Sequence, residues 1–274
     1  MLRFEEVCFG YGRENTISGA SFEIGDGEFV ALLGENGAGK STLLRLCNGL
    51  LKPTSGRVTV RGHDTATIKT SAIASFTGFL FQNPDRQICQ NTVYGEIMFG
   101  LEYVVPDELE RRGRAEEMLG LFSLDGRRDP FGMSRGERQQ TALAAILARR
   151  PKLLLLDEPT TGLDYRECMT IMGIVSNLNA EGTTVFMISH DMEVVADFAR
   201  RALVLSGGRL IGDGRVRQIM KDAALLREAS LLPAQIPALA MSLGNGFSDA
   251  FTVDEMVESV ERALLRRACG ARAQ

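Results

Sequence analysis

The sequence predicts an α/β fold in which a mostly parallel sheet carries helices on both faces. Three observations predict it. Short apolar runs bounded by glycines, several of them continuously apolar, mark strands buried on both sides. Helical patterns alternate with those runs along most of the chain. A Gly-rich octapeptide, residues 34–41, stands directly between one such run and one such helix.

Taken in order, residues 2–9 and 20–24 read as a hairpin-like antiparallel pair with a polar, Gly-containing connection. Strands are expected at 29–33, 57–60, 77–81, 153–156, 184–189 and 202–205, and helices at 40–49, 136–149, 165–180 and 192–199. The mainly helical stretch 91–128 interrupts the strand series and is expected to be part of an inserted helical subdomain, about 91–150. The strand pattern stops after Gly214, which divides the chain into a core of 1–214 and a small C-terminal extension of 215–274. In that extension, residues 231–237 read as a Pro-containing linker turn. A helix then opens with Thr252 and Glu255 at capping-box spacing, with Val253, Met256, Val257, Val260 and Leu264 on one face.

With 274 residues, 45% hydrophobic and 24% charged, the chain can bury a core without covalent staples. Its five cysteines are scattered without C-x-x-C spacing, so neither a disulfide framework nor a zinc site is expected, and a reducing cytoplasm fits. No run approaches the roughly 18 apolar residues of a membrane span, and Glu5 and Glu6 occupy a region that a signal peptide keeps apolar. A net charge of −4 argues against a nucleic-acid partner, which needs clustered basic charge.

Gly34-Glu35-Asn36-Gly37-Ala38-Gly39-Lys40-Ser41 matches G-x-x-x-x-G-K-[ST]. The glycines let successive backbone N–H groups turn inward around a polyphosphate, and the following helix points its positive end at the same anion. Lys40 is expected on the β and γ phosphates and the Ser41 hydroxyl on Mg²⁺. Four leucines at 153–156 lead into Asp157 and Glu158, at the strand end where an α/β sheet presents groups to a ligand. Asp157 is expected to hold Mg²⁺ and Glu158 to polarise a water for attack on the γ phosphate. Acids in that place can also simply cap the next helix; their order after a phosphate loop favours the chemical role. Met133-Ser134-Arg135-Gly136-Glu137-Arg138-Gln139 precedes a long helix, and about 20 residues later comes the strand that ends in Asp157 and Glu158.

This order of motifs, over about residues 2–214, resembles an ATP-binding cassette (ABC) ATPase. The resemblance implies a P-loop NTPase core with an N-terminal antiparallel β subdomain, an inserted α-helical subdomain and a small C-terminal extension. It implies ATP and Mg²⁺ as cofactors. Asn36, Gly37, Ala38, Gly39, Lys40, Ser41 and Thr42 would line the phosphates, and Tyr11 would stack on adenine. Gln82 matches the Q-loop glutamine that touches Mg²⁺ or the attacking water. Asp164 closes the D-loop Thr161-Gly162-Leu163-Asp164, and His190 matches the switch histidine that contacts γ-phosphate and positions Glu158. Ser134, Gly136 and Glu137 would complete an ATP held by the opposite protomer, although Arg135 and Glu137 stand where the family usually has glycine and glutamine. The other histidine, His63, lies in a polar turn and is assigned no chemistry.

The segment Phe81-Gln82-Asn83-Pro84-Asp85-Arg86-Gln87, with the C-terminal tail, is similar to the energy-coupling factor ATPases, which drive uptake of vitamins or of cobalt and nickel ions. That implies transmembrane transporter subunits docked in a groove lined by residues 82–88. It also implies a second ABC ATPase subunit, identical or related, and a peripheral position on the cytoplasmic face of the membrane. A conventional ABC transporter subunit is the alternative. A soluble ABC ATPase acting on nucleic acid or ribosomes is the alternative of another class; such proteins usually carry two cassettes, a coiled-coil insertion or a basic arm.

Overall fold

The computed structural model describes residues 1–12, 14–244 and 246–271, with no account of the Cys269 side chain. Strands β1 (Leu2–Phe9) and β2 (Ile17–Ile24) pair antiparallel, and alternate residues of each turn into one core, where Phe4 stacks on Phe22 at 4.5 Å. Strand β3 (Phe29–Leu33) is buried along its whole length and runs through residues 34–39 into α1 (Lys40–Cys47). Strands β4 (Ser55–Val60) and β5 (His63–Asp64) complete a four-stranded antiparallel sheet in the order β2-β1-β4-β5. After α2 (Thr70–Ala74), β6 (Thr77–Leu80) enters a second sheet. The helical insertion follows as α3 (Val93–Glu102), α4 (Glu108–Phe122) and α5 (Arg135–Leu147).

The chain returns through β7 (Leu153–Asp157), α6 (Tyr165–Ala180), β8 (Thr184–Ile188), α7 (Met192–Phe198) and β9 (Arg201–Ser206). It then turns back as β10 (Arg209–Arg215) and ends in α8 (Val216–Ile219), α9 (Ala223–Glu228), α10 (Gln235–Leu243) and α11 (Val253–Ala271). The second sheet runs β10-β9-β3-β8-β7-β6, parallel except for β10. Its inner strands are fully buried because helices or the first sheet cover both faces, which is why they read as unbroken apolar runs.

Several elements differ from the sequence reading: β5, α2, α8 and α9 were not expected, and β5 places His63 in a short strand rather than in a polar turn. Strand β10 was not expected, because Gly212 and Gly214 interrupt its pattern; an edge position opposite β9 tolerates them. Residues 235–237, expected in a linker turn, open α10, and Pro237 sits in its first turn, where no backbone donor is needed. Residues after Gly214 also divide between two cores. Val216, Ile219, Met220, Ala229 and Ala234 join the main core, whereas Ala240, Ala250 and Met256 form a separate small cluster. On α11, Met256 is buried, but Val253, Val257, Val260 and Leu264 of the same expected face are exposed. Arg217 ties that cluster down through a two-pronged pair with Glu255, 2.6 and 3.0 Å.

Candidate nucleotide site

The carboxyl ends of four neighbouring strands, β3, β8, β7 and β6, converge on one rim of the second sheet. Each delivers one of the expected motifs: residues 34–42 after β3, Ser189 and His190 after β8, Asp157 and Glu158 at β7, and Gln82 after β6. Sheet order therefore assembles residues from Gly34 to His190, far apart along the chain, at the place where open α/β sheets bind ligands.

The loop after β3 is built for backbone approach. Gly34, Gly37 and Gly39 have φ of +146°, +84° and +101°. A Cβ on Gly34 would stand 2.1 Å from the Leu205 carbonyl oxygen, and one on Gly39 2.7 Å from Ile17 Cδ1 and 2.9 Å from the Thr16 carbonyl oxygen. Only glycine satisfies both the conformation and the space there. Lys40 begins α1 and is buried, its Nζ donating to the carbonyl oxygens of Gly34 and Glu35 at 2.7 Å each. Burial holds the ammonium pKa below its ordinary value, against the raising influence of Glu158, Asp157 and Glu35. A cation stripped of water and spanned by its own loop is poised to exchange carbonyl oxygens for phosphate oxygens. Asn36 and Gly37 are exposed at the loop tip, and Ala38 packs beneath it.

Ser41 Oγ donates to Asp157 Oδ1 at 3.2 Å. Asp157 is 3% exposed; burial raises its carboxyl pKa, with Ser41 and the nearby Arg45 and Lys40 opposing. A hydroxyl and a buried carboxylate side by side suit Mg²⁺, which takes one or two protein oxygens and fills its shell from substrate phosphates and water. Tyr11 projects 62% exposed, edge-on to Phe9 at 5.0 Å, with its OH 3.3 Å from Thr42 Oγ1. An exposed ring beside the start of α1 can present a face to a planar ligand.

Glu158 is the centre of the cluster. Its Oε1 lies 3.0 Å from His190 Nε2, and its Oε2 accepts from Gln82 Nε2 at 2.8 Å and from Thr161 Oγ1 at 3.0 Å. Its backbone is held in the left-handed region, φ +51°, with its N–H bonded to the Ile188 carbonyl. That conformation costs a non-glycine residue about 1–2 kcal/mol. The sequence placed Thr161 only in the D-loop segment; its bond to Glu158, three residues back in a turn, was not expected.

The segment 133–139 lies at the start of α5. Ser134 caps that helix, accepting from the Glu137 N–H at 3.2 Å, while Glu137 Oε2 accepts from the Ser134 N–H at 2.8 Å. Glu137 is also paired with Arg128, which is the chief reason its carboxyl pKa is lowered. Gly136 is buried, and a Cβ on it would meet the Glu167 carboxylate at 2.8 Å. Asp164 caps α6 in a second capping box with Glu167. Ser134 and Asp164 make no hydrogen bond with residues 34–42 among the described residues, so this copy's own loop is not completed by them here. Two links were invisible in sequence: Arg138 pairs with Asp85 at 2.8 Å, and buried Gln139 donates to the Pro159 carbonyl at 3.3 Å. They join the start of α5 to the segment after β6 and to the turn after β7.

The stretch 82–88 divides. Gln82 faces Glu158, whereas Gln87 lines a separate open groove with Phe99, Tyr103, Glu96 and Arg149. Glu96 is buried and accepts from the N–H groups of Cys89 and Gln90, which fixes the groove's wall.

Comparison with known proteins bears on the family and the fold. A family model described as ABC transporter matches residues 17–161. An energy-coupling factor transporter ATP-binding protein, EcfA of Methanothermobacter thermautotrophicus, is 38% identical over 93% of this chain and 82% of its own. Among solved structures, cbiO1 from Clostridium perfringens, part of the ABC transporter complex cbiONQ, superposes with TM-score 0.74 and 29% identity over 88% of this chain and 98% of that one. A dimeric ATP-binding cassette in a post-hydrolysis state, bound to ADP and Pi, superposes with TM-score 0.72 and 29% identity over 79% of this chain and 99% of that one. The chain spans 39% to 48% of the length of the curated relatives it matches first.

Proposed function

The chain belongs to the ABC transporter family, and from that premise we propose that it binds and hydrolyses ATP to power a membrane importer of the energy-coupling factor type. The observation that carries the hydrolytic reading is the Glu158 carboxylate, gripped by His190, Gln82 and Thr161 beside the phosphate loop.

Lys40 and the N–H groups of residues 36–42 grip the phosphates, with Tyr11 against the base. Ser41 and Asp157, with Gln82, would hold Mg²⁺, which would supply positive charge against the phosphate oxygens. Glu158 orients a water in line with the γ phosphate and draws its proton, and His190 and Gln82 keep the carboxylate aimed. Ser134 is exposed at a helix N-terminus, with its hydroxyl proton free to donate. It supplies a γ-phosphate contact to a second cassette, alongside Gly136, Glu137 and the D-loop around Asp164. Two cassettes then close head to tail over ATP, and hydrolysis releases the closure. The dimeric cassette bound to ADP and Pi supports that arrangement.

Likeness to EcfA and to a member of the cbiONQ complex supports the importer subtype, with vitamins or transition-metal ions as cargo. A helix of a transmembrane subunit would dock in the open, aromatic-edged groove at Gln87, Phe99 and Tyr103. No helix among the described residues is long and apolar enough to cross a membrane, so attachment to the cytoplasmic face would come through that partner.

Glu158→Gln tests the hydrolytic reading. The amide cannot accept a proton, so turnover is expected to fall by about 10²–10⁴ while ATP binding persists and a dimer accumulates on size exclusion. Turnover equal to the parent's would refute it. For the importer reading, a multispanning membrane protein is expected to copurify when the neighbouring genes are coexpressed; recovery only with ribosomes or DNA would overturn it.

A further inference from the structure

Three arginines surround the start of α5, and two are committed. Arg128 neutralises Glu137, and Arg138 bonds Asp85 and the Met133 carbonyl. Arg135, the first helical residue after Ser134, is exposed and has no ion pair or hydrogen bond among the described residues. Its side chain lies along Gly162 of the D-loop, with Cδ, Nε and Cζ 3.1, 3.2 and 3.5 Å from the point where a Cβ on Gly162 would sit. It borders a polar cavity with Gln82, Asn83, Asp85 and Arg138, and the carboxylate there, Asp85, is already taken by Arg138.

No carboxylate pairs with this guanidinium among the described residues. Glu137 would bring a negative charge beside Ser134, but Arg128 and the Ser134 N–H absorb it. What remains at the tip of α5 is the unpaired Arg135 guanidinium, the positive end of a 13-residue helix, and the Glu167 carboxylate, which lies against Gly136 and accepts from the Asp164 N–H in the cap of α6. A planar fork of donors resting on bare glycine backbone is the group that pairs two-pronged with phosphate. Arg135 is one residue, about 3.8 Å, from the serine assigned to the γ phosphate, a step its side chain spans.

We propose that Arg135 contacts, in trans, the γ phosphate of ATP held by the loop of a second copy of this chain. The proposal rests on the closed-dimer reading above. The γ phosphate gains charge on its outer oxygens as the bond to the leaving group breaks, so a guanidinium there favours the transition state as well as the closed dimer.

The test uses full-length chains. Arg135→Ala is expected to lower turnover about ten- to hundredfold, the range of a charge-assisted hydrogen bond. ADP affinity should stay unchanged, because ADP lacks the contacted group, and Arg135→Lys should recover part of the loss. In the Glu158→Gln background, Arg135→Ala should raise the ATP concentration for half-maximal dimerisation about tenfold or more. Mixing Lys40→Ala chains with Arg135→Ala chains should restore turnover above the sum of the two alone, since one site of the mixed dimer then holds both groups. Arg135→Ala and Arg135→Lys chains that turn over and dimerise within about twofold of their parents would overturn the proposal, as would an impaired variant that mixing does not rescue. If Glu158→Gln with Arg135 intact fails to dimerise on ATP, the dimer reading fails and takes the proposal with it.

Discussion

Ser41→Ala separates a structural hydroxyl from a metal-binding one. In the ligand-free protein it removes the bond to Asp157 Oδ1, which at 3.2 Å is long for a hydroxyl on a carboxylate. That places the loss near the low end for charged hydrogen bonds, about 1–1.5 kcal/mol. For a chain of this size the melting temperature should drop by about 2–5 °C. The effect with Mg²⁺ and ATP is larger. At a ligand concentration 100 times Kd, binding adds about 2.7 kcal/mol to stability; weakening Kd on the order of a hundredfold leaves about 0.4 kcal/mol. The thermal shift on adding Mg·ATP should therefore shrink from about 5–10 °C to about 1–2 °C. Differential scanning fluorimetry with and without Mg·ATP reads both numbers, and Ser41→Thr, which keeps the hydroxyl, should retain the larger shift. A Ser41→Ala protein stabilised by Mg·ATP as much as the parent would refute the assignment of Ser41 to the metal.

Asp157→Asn should move the ligand-free protein the other way. Because burial raises the folded carboxyl pKa, its stabilising contribution is present below the unfolded value and lost as pH rises through the folded one. At neutral pH the amide removes a buried charge, so the melting temperature should rise while the Mg·ATP shift falls; a lower ligand-free melting temperature would contradict this. Glu137 has the opposite sign: Arg128 depresses its folded pKa, so its contribution is present above the unfolded carboxyl value and fades as pH falls through the folded one. Melting curves of Glu137→Gln should accordingly show a weaker acid destabilisation than the parent's below about pH 4.5, and identical curves would count against the Arg128 pair.

What was legible in the sequence was local. The phosphate loop, the apolar run ending in Asp157 and Glu158, and the capping box at Thr252 each fall within a few residues, where spacing alone reports conformation. Strand boundaries were readable wherever burial on both faces made the run continuously apolar, and they failed at β10, where an edge strand carries glycines. The face of α11 was readable as a periodicity but not as a contact: Met256 is inside and Val257 is not, because only the packing partner, here Ala240 and Ala250, decides which part of a stripe is covered.

The site itself is a product of tertiary structure. Gln82, Glu158 and His190 are separated by 76 and 32 positions, and no periodicity connects them; the order β8-β7-β6 does. The same is true of Arg138 on Asp85 and of Arg135 on Gly162. Sequence spacing determines which chemistry is present, since turn, cap and strand depend on neighbours along the chain. The sheet decides which of those groups meet, because strand pairing joins residues by lateral order, a quantity that the linear sequence does not carry.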